Sequence, residues 1–170
     1  MTITHIIGKV SELSGRIASV VVLPLVFAMV FEVVSRYVFS APTLWAFEIS
    51  YMIMGTIFLL GLSYALHTGQ HVNVDFIHSR LSPRAIGAID AIAYFILTGL
   101  LLWMTITLSK NVADVYRTGE GSGLSAWNPV IWPYRVIYVF GFATFTLQAF
   151  GKFLENLLTA LGSNAGKAQS

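Results

Sequence analysis

From Ile17 to Phe31 the chain reads IASVVVLPLVFAMVF, with no charged side chain, and a second apolar run opens at Trp45 after the brief turn SAPT. That pairing constrains the fold more than any other feature. Two apolar runs joined by so short a turn lie against each other as a hairpin, and a hairpin this apolar belongs in lipid. The hydrocarbon core of a bilayer takes roughly 20 predominantly apolar residues of helix to cross. The first span therefore continues through Glu32 and Arg36 to about Phe39, with Pro24 inside it as a point of kinking or loosened hydrogen bonding.

The rest of the chain extends the hairpin into a bundle. The second span reaches about His67. Ser82 followed by Pro83 is a helix start, a capping hydroxyl with proline in the first turn, and predicts a third span over 84–109 whose helix continues through KNVADVYRTG until GEGSG breaks it. Pro129 and Pro133 bracket the start of a fourth span over 132–150, with the helix running on to about Leu161. The expectation is an all-α integral membrane protein: one domain over 1–161, spans at about 17–39, 45–67, 84–109 and 132–150, and a disordered tail over 162–170. Between spans two and three, TGQHVNVDFIHSRLSP is too polar to cross and sets Val74, Ile77 and Leu81 at helical spacing. It reads as an amphipathic segment in the interface, although Val72, Val74 and Phe76 also alternate as a strand would.

Composition agrees with lipid as the solvent. Hydrophobic residues make up 56% of the chain and charged ones 11%, too little polar surface to cover a water-soluble domain. Cysteine is absent, so no disulfide framework or thiolate metal site is available. The net charge of +2 is too slight to point to a nucleic-acid partner. A cleaved secretory signal would share the basic start and apolar core, but Glu32 and Arg36 follow that core directly and Pro42 spoils the small-residue site at Ser40 and Ala41.

Four spans return both ends to one side. Lys9, Arg16, Arg80, Arg84, Lys152 and Lys167 fall on the side of the termini, against Arg36, Lys110, Arg117 and Arg135 opposite. The positive-inside rule then places both termini in the cytoplasm. Trp45, Trp127 and Trp132 stand at span ends, where an aromatic belt belongs.

Few residues carry chemistry. Glu32 and Arg36, four apart, share a helix face and can pair near the interface, a structural role that outweighs a transport one. Glu48 sits three residues after Trp45 on the next helix, placed to compete for Arg36, so a Glu32, Arg36 and Glu48 cluster would pin the hairpin. Asp90 enters the third span from the other side and reads as facing another helix or a partner chain. His67 and His71 raise the question of haem, but axial ligation needs histidines on facing helices at membrane depth, and the third and fourth spans contain none. A metal site from His67, His71 and Asp75 is chemically allowed, with solvated or headgroup-facing side chains the better reading. The phosphate loops, nucleophile motifs and cofactor fingerprints of enzymes are not found, so neither catalysis nor a cofactor is expected.

The run RYVFSAPTLWAFE beginning at Arg36, followed by GQHVNVDFI, resembles the small membrane subunit, the DctQ type, of tripartite ATP-independent periplasmic (TRAP) transporters. The likeness continues more weakly through Trp127 to Pro133. The resemblance implies a bacterial inner-membrane secondary transporter in which a periplasmic binding protein captures an organic acid and delivers it to two membrane subunits, driven by sodium. The large subunit would carry the substrate and sodium sites and move as an elevator. The small one would scaffold and anchor it, surrounded by membrane lipids and binding no substrate. Under that reading Glu32, Arg36, Trp45, Glu48, His71, Asp75 and Asp90 fix the bundle or its contact with the partner. Two other classes compete: a self-sufficient homo-oligomeric transporter or channel with Glu48 and Asp90 on its path, and a membrane anchor subunit of a redox complex.

Overall fold

A computed structural model describes residues 2–69 and 82–161. Four helices account for nearly all of them: α1 Thr2–Tyr37, α2 Ala46–His67, α3 Pro83–Thr118 and α4 Trp132–Ala160. Each is long and apolar enough to cross a membrane. The interfacial segment expected between the second and third spans, and the tail over 162–170, lie outside the described residues.

The helix ends follow local chemistry. Ser82 takes an extended backbone and its hydroxyl accepts the amide of Ala85 at 3.3 Å, with Pro83 in the first turn, as the sequence predicts. At the other end of α3, Gly119 adopts the left-handed conformation (φ 65°) and returns its amide to Val115. α1 runs through Pro24 as one helix. At 36 residues, α1 and α3 are each about 54 Å long, well over the hydrocarbon thickness.

α1 begins at Thr2, well before the uncharged run, and its early turns take part in the bundle. Ile7, Ser11, Ser14, Ala18 and Ala28 are buried, all on one stripe of near-heptad spacing, while Val20, Leu23 and Phe27 face outward. α4 is the hub. It packs most extensively on α3 and also against α2 and α1, and α1 and α2 pack on each other as the hairpin predicted. Its buried stripe runs Gly141, Thr144, Phe145, Gln148, Ala149, Gly151.

Lipid offers no hydrophobic drive to bring helices together, so close packing and interhelical hydrogen bonds do that work. At the centre of the three-helix junction, the Ser11 hydroxyl donates to Gln148 Oε1 at 2.8 Å and lies 3.0 Å from the Ser63 hydroxyl, joining α1, α4 and α2. Thr105 and Thr146 meet at 3.3 Å between α3 and α4. Nearer the start of α3, Gly87 lets the helix approach α4 so closely that an added Cβ would sit 3.0 Å from the Ala160 amide nitrogen and 3.1 Å from the Asn156 carbonyl oxygen.

Backbone cannot yield there as a side chain could. Gly87→Leu is expected to force α3 off α4 and destabilise the bundle by about 1–3 kcal/mol, read as an earlier thermal midpoint in mild detergent. Gly99→Leu on the same helix, where an added Cβ meets nothing within 4 Å, is expected to leave the midpoint in place.

Candidate functional site at the loop end of the bundle

The residues singled out by sequence gather mainly where the two loops are. Glu32, one turn and a half from the end of α1, organises the first turn. One carboxylate oxygen accepts Arg36 Nε at 2.9 Å and also Arg36 Nη2, and the other accepts both the Thr43 amide, at 2.9 Å, and the Thr43 hydroxyl. The Arg36 side chain is 55% exposed and that of Glu32 only 13%. Glu32 therefore serves as the fixed acceptor and Arg36 as its solvent-side cover. Ser40 supplies the reversal with a left-handed φ of 51°, and the Ala41 amide returns to the Ser35 carbonyl at 2.9 Å. Trp45 closes the turn by stacking on Phe31, ring centres 5.7 Å apart. Glu32, Arg36 and Trp45 thus form one hairpin clasp.

Glu48 does not join it, and the expected three-way cluster is not formed. Arg36 already spends its fork on Glu32 of its own helix, whereas Glu48 is fully buried under the α3–α4 loop and accepts the Ser125 hydroxyl. That loop is rigidly tied. Gly121 and Val130 form an isolated antiparallel bridge, the Ser122 amide reaches the Pro129 carbonyl at 3.0 Å, and Asn128 Oδ1 accepts the Gly123 amide at 2.8 Å. The Ser125 oxygen also accepts the Trp127 amide at 3.1 Å, which orients its hydroxyl toward Glu48. The second Glu48 oxygen is buried without a partner among the described residues.

Beside Glu48 an aromatic ladder joins α2 to α4: Tyr51 meets Tyr134 edge-on at 6.0 Å, and Tyr134 meets Tyr138 at 5.2 Å. Arg135 holds the start of α4 to its surroundings, donating to Asn111 of α3 and lying 3.7 Å from Glu120.

His67 and Asp90 lie at the other end of the bundle. His67 ends α2 with its ring against Gly8 of α1, where a Cβ would come within 2.6 Å of the imidazole. Asp90 is half-buried on α3. His71 and Asp75 lie outside the described residues, and among the described ones no three His, Asp or Glu side chains gather as a metal site would require.

A family model for tripartite ATP-independent periplasmic transporters, DctQ component, matches residues 25–159, from the middle of α1 to the end of α4. The chain belongs to the DctQ family. It is the small membrane subunit of a TRAP transporter, one member of a complex with a large membrane subunit and a binding protein, and its family is one of transporter components and not of enzymes. No individually curated protein matches it.

The match places both clasps of this DctQ subunit, Glu32 with Arg36 and Glu48 with Ser125, inside the family region, whereas Ser11 lies before it. Sequence reasoning passed over Thr43, Ser125 and the Ser11, Ser63 and Gln148 junction. Gln148 carried a usable signal, since a lone amide in an apolar span needs a partner on another helix. Ser125 carried none, because its importance depends on a loop folding back over α2.

Removing the Ser125 hydroxyl strands Glu48 with both oxygens unsatisfied, a cost of about 1–3 kcal/mol for a buried acceptor. Ser125→Ala is expected to lower the thermal midpoint, and a second change, Glu48→Leu, to recover part of the loss. A double-mutant cycle by thermal unfolding in detergent gives the coupling, and additive effects would disprove the clasp.

Proposed function

We propose that this DctQ subunit is the scaffold of a sodium-driven symporter for organic acids in the bacterial inner membrane. It anchors an elevator-type large subunit in the bilayer, binds no substrate itself, and has both termini in the cytoplasm. The observation that carries the reading is the family match over residues 25–159 on a bundle in which several buried polar side chains bond one another across helices or to a loop. Ser11, Ser63, Gln148, Thr105, Thr146, Ser125 and Glu48 hold helices and a loop together. A subunit built this way resists deformation, which is what a moving partner needs from its fixed frame.

The outward faces support the same reading. Phe27 and Leu23 on α1, and Phe95 and Trp103 on α3, are each at least 65% exposed in the isolated chain, apolar surface for lipid and a membrane partner to cover. The excess of basic residues on the terminal side supports cytoplasmic ends. Within this proposal Glu32, Arg36, Trp45 and Glu48 hold the loop-side end in the shape the complex uses, and His71, Asp75 and Asp90 serve the other end.

Purification of the C-terminally tagged chain from native membranes in mild detergent is expected to bring down a large polytopic partner in roughly equal amount. Recovery of this chain alone as a defined homo-oligomer would overturn the scaffold reading and favour an autonomous transporter. Arg36→Ala is expected to lower the yield of that complex without changing the affinity of the binding protein for its ligand, measured by calorimetry.

A further inference from the structure

On the flank of α4 at the loop end of the bundle, Thr107, Leu108 and Asn111 of α3 and Tyr134, Arg135 and Tyr138 of α4 line an open cavity of about 410 Å³. Its one cation is Arg135, whose side chain is 24% exposed. That guanidinium is incompletely used. Nη1 donates to Asn111, a neutral amide, and Nη2 pairs with Glu120 only at 3.7 Å, an ion pair too long for a hydrogen bond and half exposed on the carboxylate side. Nε makes no hydrogen bond among the described residues and Nη2 has only the long Glu120 pair, so this cavity-lining guanidinium keeps donor capacity suited to phosphate geometry.

The depth of the cavity narrows the ligand. Trp132, a belt residue at the start of α4, stands one turn before Arg135, which sets the guanidinium at the level of lipid headgroups. Toward the membrane centre, Met104 and Leu100 continue the stripe of Leu108 at four-residue spacing, 41% and 57% exposed. A mainly apolar cavity carrying one cation and a few polar groups, above an exposed apolar lane, matches a molecule with an anionic head and a hydrocarbon tail.

We propose that this cavity is a phospholipid site, in which Arg135 holds the headgroup phosphate by charge-assisted hydrogen bonds and one acyl chain runs along Leu108, Met104 and Leu100. A lipid seated there fills the open flank beside the α3–α4 contact and fixes the depth of the bundle in its leaflet.

The test is native mass spectrometry of the full-length chain released from nanodiscs of phosphatidylcholine containing phosphatidylglycerol, counting phospholipids that survive activation. The wild type is expected to retain one phospholipid, Arg135→Gln to lose at least ten-fold of that population, and Arg117→Gln, an equal charge change outside the cavity, to retain it. Because Arg135 also touches Asn111, Thr107→Leu is the second variant: it fills the cavity, leaves the guanidinium in place, and is expected to lose the lipid too. Wild-type retention by Thr107→Leu, or equal loss in Arg117→Gln, would overturn the site. Displacement of the lipid by excess inorganic phosphate would assign the cavity to a free anion instead. If Thr107→Leu keeps its lipid but no longer co-purifies with the large subunit, the cavity is a protein contact and the proposal fails.

Discussion

In a bilayer a buried hydroxyl, amide or carboxylate has no water to turn to, and the organisation of this subunit follows from that constraint. Ser11, Ser63 and Gln148 satisfy one another where α1, α2 and α4 meet, at separations of 2.8 and 3.0 Å. Each group would be costly alone and is stabilising in company, so the junction sets the register of three helices at once. A shift of α1 by one residue would rotate Ser11 out of reach of both partners. The apolar side chains around the junction tolerate such a slip far better, because in lipid one outward-facing leucine is much like another.

The two loop-side clasps apply the same rule nearer the interface. Glu32 uses both carboxylate oxygens to bind the end of its own helix to Thr43, so the short turn is held from within. Glu48 instead reaches across to Ser125, nearly eighty positions away in sequence, and ties the α3–α4 loop down on α2. α3 packs chiefly on α4, through Thr105 with Thr146 and the close approach at Gly87. The subunit is therefore a three-helix knot with a long fourth helix laid along its hub. That shape fits the proposed role of a frame, since α1 and α3 present separate apolar faces on a bundle tied by interhelical hydrogen bonds.

Much of this was legible in the amino-acid order. The uncharged run from Ile17 to Phe31 and the brief turn at Ser40 to Thr43 require a membrane hairpin, and Ser82 with Pro83 marks the start of α3 to the residue. Glu32 and Arg36 were readable because both lie on one helix, where a spacing of four fixes their geometry. The run RYVFSAPTLWAFE points to the DctQ family, and the family match agrees. Glu48 was misread as a competitor for Arg36. Proximity along the chain suggested that pairing, and the true partner comes from a loop whose path is not local.

The sequence by itself thus determined the elements, their lipid environment and the family. Those follow from hydropathy, helix capping and short-range spacing, which are properties of neighbouring residues. Only the tertiary structure decided that α4 is the hub, that Ser11 finds Gln148, that Ser125 covers Glu48, and that Arg135 lines an open cavity. The physical reason is the same in each case. Helix partnering in lipid is directed by a few small and polar side chains meeting at distances near 3 Å, and no periodicity in one helix reveals which residue on another will stand opposite.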